Sequence, residues 1–184
     1  SEMESTALVI VDVQKAIDCY SENERNNLAA EKNIALLLAH WRSNNLPVFH
    51  VRHSSKFASS PYHQSSANYE FKSEVSPLKS ETIITKQENC AFLNTNLEKL
   101  LKQQGIKQLV VCGVLINNSV DVTVRVASGL GFKVVLPSDA TAAFAIDGLN
   151  GKYYPADDVH WLFLSNLDTE YCEVSNTNQV IDNV

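Results

Sequence analysis

Three side chains able to move a proton or attack a carbon stand where apolar runs of the chain give out. Asp12 closes the run that begins at Thr6, Lys86 closes a run that begins at Glu81, and Ser119 follows a run from Gln108 to Val111. An acid, an amine and a hydroxyl are the groups needed for general acid–base work, charge stabilisation and nucleophilic attack. The most informative stretch is Val111-Cys112-Gly113-Val114-Leu115-Ile116-Asn117-Asn118-Ser119-Val120-Asp121-Val122-Thr123. After it, Val120, Thr123, Val124, Ala127 and Leu130 recur at helical steps and Gly131 follows as a stop, so Ser119 falls at or beside the first turn of a helix. Free N–H groups and the positive end of the helix dipole favour a developing anion there. Asn117, Asn118 and Ser119 are equally the residue types that cap helices, and the segment alone supports capping more strongly than catalysis.

Whether the three groups meet depends on the elements that carry them. Apolar runs predict strands over 6–12, 46–51, 81–85, 108–111 and 132–136, with a last short one near 173–174. Between them, helical spacing runs over 27–43 (Leu28, Ile34, Leu37, Leu38, Trp41), 94–104, the segment after Ser119, and 156–166. Near-continuous apolar strands alternating with helices predict a three-layer α/β/α fold with a doubly wound, mostly parallel sheet of about six strands. A single domain over 1–184, with a short tail at 1–5, fits the length. In such a sheet the carboxyl ends of the strands share one edge, which would bring Asp12, Lys86 and Ser119 to one crevice. Each also has an ordinary reading, as a turn residue, a solvated charge and a cap. Ser54–Lys79 breaks the alternation. It is long, polar and dotted with Phe57, Tyr62, Tyr69 and Phe71, as a lid, a subunit contact or a solvated insertion would be.

Composition narrows the partners. A net charge of −6 without a basic cluster argues against nucleic acid and anionic membranes, and no apolar run is long enough to span a bilayer. The run Ala7–Val13 is interrupted by Asp12 and lacks a basic flank, so it does not read as a signal peptide. Cys19, Cys90, Cys112 and Cys172 are dispersed and read as reduced thiols of a cytoplasmic protein. Among the histidines, His50 and His53 lie nearest the expected crevice. His50-Val51-Arg52-His53 offers no carboxylate at a metal-ligand spacing, so neither metal nor other cofactor is expected, and His53 or Arg52 is a candidate for a substrate carboxylate.

Several blocks of the chain, in order, resemble the isochorismatase-like cysteine hydrolases. Ala7-Leu8-Val9-Ile10-Val11-Asp12-Val13-Gln14 resembles the opening of that family. Glu81–Lys86 with Ala91-Phe92 and Thr95-x-Leu97 is similar to its second block, and Gly113-Val114 through Val120 with Thr123 and Gly131-Phe132 to its third. Asp139-Ala140 resembles a fourth. The resemblance implies catalytic roles for Asp12, Lys86 and position 119, a cis peptide between Val114 and Leu115, and an oxyanion hole from the N–H groups of Leu115 and Ser119. It further implies substrate contacts at Gln14, His53, Phe92 and Asn118, a small-molecule substrate, and a homodimer or homotetramer. The chain departs from the pattern at Ser119, where amide-cleaving members have cysteine, and at Ile116, where the family usually has threonine. Serine has no anionic fraction comparable to a thiolate and needs a base in contact. Four readings follow: an isochorismatase-type enzyme in which Asp12 protonates a vinyl ether, a serine nucleophile acting on an amide or ester, a serine replacing a catalytic cysteine, and a non-catalytic binder. Hydrolase ranks above binder because Asp12, Gln14 and Lys86 all stand in the expected blocks. The vinyl-ether route ranks first among substrates, although such enzymes typically carry glycine at 119 and glutamine at the position of His53.

Overall fold

In the computed structural model, which describes residues 6–184, the first strand, β1 (Thr6–Val11), is buried along its whole length. The expected tail at 1–5 lies outside the described residues. Side chains of β1 alternate between two cores. Ala7, Val9 and Val11 join Phe49, Val51 and Val111 on one face, while Leu8 and Ile10 join Trp41, Val48 and Val110 on the other. A strand covered on both sides must be apolar at every position, which is why the run shows no polar alternation.

The chain continues through α1 (Ala30–Ser43), β2 (Val48–His53), β3 (Thr82–Lys86), α2 (Leu97–Gln103) and β4 (Gln108–Val114). It ends with α3 (Asp121–Gly129), β5 (Lys133–Pro137), the short strands β6 (Thr141–Ala142), β7 (Ile146–Asp147) and β8 (Tyr153–Tyr154), then α4 (Ala156–Leu167), β9 (Glu173–Ser175) and α5 (Thr177–Asn183). The sheet order is β3-β2-β1-β4-β5-β9, every pairing parallel, with β6 joined to the end of β4. Helices α1 and α5 cover one face, and α2, α3 and α4 the other. This is the doubly wound α/β/α sheet that the sequence predicts. Successive strands step outward from β1 through β2 to β3, then cross to β4 on its opposite side. That switch opens a crevice over the carboxyl ends of β1 and β4.

Where these two strands end, a glycine is obligatory. Gly113 pairs with Val11, and a Cβ on it would lie 2.1 Å from the Val11 carbonyl oxygen. Its φ of +118° is also closed to ordinary side chains.

Some elements differ from expectation. Helix α1 begins at Ala30, which leaves Leu28 in the preceding turn and 81% exposed. Strands β2 and β4 run on to His53 and Val114, so both reach further toward the crevice than their apolar runs. The two-residue strands β6, β7 and β8 are too short to show a period, and α5 carries only one buried apolar residue, Val180.

Segment 54–79 is fastened to the domain. Phe71 bridges Gln14, the Lys15 N–H donates to the Glu70 carbonyl at 2.9 Å, and the Lys72 N–H donates to the Val13 carbonyl at 3.0 Å. Val75 is fully buried beside α1. The Lys72 ammonium reaches Asp18 at 2.8 Å and Glu31 at 2.9 Å, tying the segment to α1 and to the turn after β1. All four cysteines are free, with only Cys19 exposed. Among the described residues, no helix is long and apolar enough to cross a membrane.

Candidate active site

Asp12 is the first residue beyond β1 and has a φ of +57°, a left-handed conformation uncommon for a residue with a side chain. Its N–H still donates to the Val51 carbonyl at 2.9 Å, so the bend is anchored to the sheet while the carboxylate turns over the strand ends. Lys86 is the last residue of β3, in register with His53 at the end of β2. Its long side chain crosses the end of β2 to reach Asp12. The ammonium donates to Asp12 Oδ2 at 2.8 Å, to His53 Nδ1 at 3.1 Å and to Ser119 Oγ at 3.4 Å. Lys86 and Ser119 are 1% and 4% exposed, so this contact is sealed from bulk water.

Ser119 belongs to an irregular turn, Ile116–Val120, that leads directly into α3. The turn is not regular helix, since Asn117 and Asn118 have non-helical dihedrals. The Leu115 carbonyl accepts N–H bonds from both Asn118 and Val120, at 3.1 Å each, and folds the turn back on the end of β4. The Val114–Leu115 peptide bond is cis.

A cavity of about 220 Å³ opens above these groups. Asp12, Val114, Leu115, Asn118 and Ser119 form its floor, and His53, Tyr20, Tyr62 and Asn89 stand around it. Segment 54–79 supplies one wall through Ser55, Ser60 and Tyr62. The Tyr20 and Tyr62 rings stack with centroids 6.4 Å apart, and Tyr62 meets the His53 ring edge-on at 5.7 Å. Burial, aided by the charge of Asp12, pushes the Tyr62 phenol well above its usual range, so it remains a neutral hydroxyl. Burial lowers the His53 imidazole, and the Lys86 ammonium lowers it further, against the opposing pull of Asp12 and Glu88. Asp12 Oδ1 is buried with no hydrogen-bond partner, an acceptor left over after Lys86 has taken Oδ2.

The structure thus brings Asp12, Lys86, His53, Ser119, Asn118 and Leu115 together. It does not place Gln14 or Phe92 on the cavity. Gln14 is fully buried, and its amide is spent on the backbone: Nε2 donates to the carbonyls of His53 and Tyr69 at 3.0 and 2.9 Å, and Oε1 accepts the His53 N–H at 2.8 Å. It positions the wall and touches no ligand space. Phe92 stacks on Phe132 at 6.1 Å and packs against the core. Arg52 points away, donating to Thr85 Oγ1 at 2.9 Å and lying over the Tyr69 ring. His50 faces the opposite layer, where its Nε2 meets Glu81 at 2.9 Å. Tyr20 and Asn89, which do line the cavity, lie in irregular turns whose sequence carries no periodic signal.

An acid–amine–hydroxyl cluster at the switch point of a doubly wound sheet is an arrangement suited to hydrolysis of small molecules. The match to known proteins agrees: a model of the isochorismatase domain covers residues 6–177, and the chain belongs to the isochorismatase family of hydrolases. It is 40% identical to the isochorismatase family protein YrdC of Bacillus subtilis (strain 168), across 97% of this chain and 96% of that one. It superposes with a TM-score of 0.95 on an isochorismatase-family structure from Chromobacterium violaceum, at 41% identity and covering 98% and 95% of the two chains. A streptothricin hydrolase from Streptomyces noursei is 33% identical over 76% of this chain and 50% of its own length.

Proposed function

We propose that this family member hydrolyses an acyl bond, C–N or C–O, in a small substrate without negative charge, with Ser119 as nucleophile. The observation that carries the reading is the contact of one buried ammonium with both Asp12 and Ser119 Oγ. A cation 3.4 Å from the hydroxyl oxygen favours the alkoxide as it forms, and the unpartnered Asp12 Oδ1 is an acceptor for the departing proton. The Ser119 proton passes to Asp12 while Oγ bonds to the carbonyl carbon. Charge collects on the carbonyl oxygen, where the N–H groups of Leu115 and Ser119 are the proposed donors. The bond to the leaving group then breaks as Asp12 returns the proton to the departing nitrogen or oxygen. Water repeats the sequence on the acyl-serine, giving one proton to Asp12 and releasing the acid. Asn118 is the proposed side-chain contact to the substrate.

The charge around the cavity disfavours the vinyl-ether alternative. Isochorismate is a dianion, and among the described residues no arginine and no lysine lines the cavity. Lys86 has already committed its three N–H groups to Asp12, His53 and Ser119. The relative named streptothricin hydrolase is consistent with hydrolysis of a small metabolite on this fold.

A panel of uncharged amides, ureido compounds and esters, run beside isochorismate, tests the proposal. Intact-mass spectra of quenched reactions should show an acyl adduct on the wild-type chain that Ser119→Ala removes together with turnover. Undiminished turnover in Ser119→Ala, or isochorismate as the preferred substrate, would overturn it.

A further inference from the structure

Lys86 also engages a side chain that acyl transfer does not require. An ammonium has three donors and no acceptor, so its 3.1 Å contact with His53 Nδ1 defines the ring: Nδ1 accepts, and the single ring proton sits on Nε2. The ring has little freedom to turn away. Its backbone is clamped on both sides by the Gln14 amide, and the Tyr62 ring meets it edge-on. We infer that His53 is a positioning residue that holds the Lys86 ammonium between Asp12 and Ser119, and that protonation of His53 releases that hold and closes the site to chemistry in acid.

The charged and titratable groups facing His53 come from each element around it. They are Lys86 at the end of β3, Asp12 beyond β1, Glu88 in the loop after β3, and Tyr62 in segment 54–79. Lys86 opposes the second positive charge, whereas Asp12 and Glu88 support it. Once Nδ1 carries a proton, two donors and two positive charges face each other across the same 3.1 Å, and they must separate. The Lys86 side chain is the mobile partner because the His53 backbone is fixed. Its displacement would withdraw the ammonium from Ser119 Oγ, the longest of its three contacts at 3.4 Å.

Nitrogen-15 NMR of the ligand-free wild-type chain tests this without any substrate. At pH 8 the His53 ring should show the Nε2–H tautomer, and on acidification the Lys86 Nζ resonance should move with the same midpoint as the ring. Lys86→Met should raise that midpoint, since Asp12 and Glu88 remain. An Nδ1–H tautomer at pH 8, or a Lys86 resonance indifferent to the ring titration, overturns the inference.

The kinetic arm rests on the acyl-transfer proposal. His53→Phe should lower kcat about tenfold at every pH with a smaller change in KM. His53→Asn, whose Oδ1 takes the place of Nδ1 but does not titrate, should restore most of that loss and move the acid limb down by about one pH unit. An acid limb unchanged in His53→Asn overturns the role of His53. Absence of turnover in all forms, with both NMR results as expected, overturns the serine mechanism and leaves the His53 role standing.

Discussion

Two buried charge clusters flank the start of this chain, and they are built to different standards. Around Glu31 both carboxylate oxygens are taken: Oε1 accepts from Arg25 at 2.6 Å, and Oε2 accepts from Arg25 at 2.8 Å and from Lys72 at 2.9 Å. Around Lys86 the ammonium is fully engaged, but the carboxylate keeps one buried oxygen unpartnered and its residue sits at positive φ. A half-satisfied buried network is costly. On the proposed function, the spare acceptor at Asp12 is the one that takes the Ser119 proton.

That contrast is testable by making the two clusters fail in different ways. The largest effect should come from Asp12→Asn, which keeps a hydrogen-bond acceptor for Lys86 and a residue type tolerant of left-handed backbone, yet removes the proposed base. Turnover should fall about a thousandfold or more, equivalent to about 4 kcal/mol of barrier, and because Lys86 then stays buried without its anion, urea unfolding should also show a loss of about 3 kcal/mol. Glu31→Gln should leave turnover unchanged. It leaves Arg25 and Lys72 without their buried anion and should cost about 3 kcal/mol or more of stability in the same unfolding assay.

Acid should separate the clusters more gently. Burial alone would raise Glu31, but hydrogen bonds from Arg25 and Lys72 hold it down to about 2, against 4.5 for a free side chain. Burial likewise opposes Arg42, the Leu78 N–H and His50 at Glu81, which also ends at about 2. These carboxylates contribute stability that is complete above pH 4.5 and is lost as pH falls toward about 2. His50, His53 and His160 are lowered instead, chiefly by burial, so the unfolded chain takes up their protons first. Stability should therefore begin to drop below pH 6.5, ahead of the carboxylate step. Thermal melts from pH 8 to pH 2 should show both declines, and Glu31→Gln should shrink the second alone. The smallest effect belongs to a pair outside both clusters. Lys102→Ala removes the exposed bond to Glu98 and should change stability by no more than about 0.5 kcal/mol in urea titrations.

The same contrast explains what was legible in the sequence. The sheet was, because strands such as β1 and β4 are apolar at nearly every position and their order follows from the alternation with helices. Asp12, Lys86 and Ser119 were legible as residues at strand ends, where a parallel sheet gathers them. The walls were not. Tyr62, Ser55 and Ser60 come from a segment without period, Tyr20 and Asn89 from isolated turns, and only tertiary docking puts them on one cavity. Gln14 shows the converse. The family resemblance implies contact with substrate there, but its amide reaches three backbone groups first, and no local pattern announces partners 39 and 55 residues away. The Glu31 cluster was missed because its members look like ordinary surface charges until segment 54–79 folds over them.

The Gln14 carboxamide has one further consequence, for traffic. By bonding the end of β2 and the Tyr69 carbonyl at once, it rivets the covering segment to the sheet directly behind the cavity wall. A wall riveted there swings aside only by breaking the hydrogen bonds of a buried amide, so on the proposed function substrate enters by rotation of the Tyr20 and Tyr62 rings at the rim. Ring rotation is local and needs no sweep of chain through solvent, so thickening the medium with glycerol should leave the turnover number unaltered.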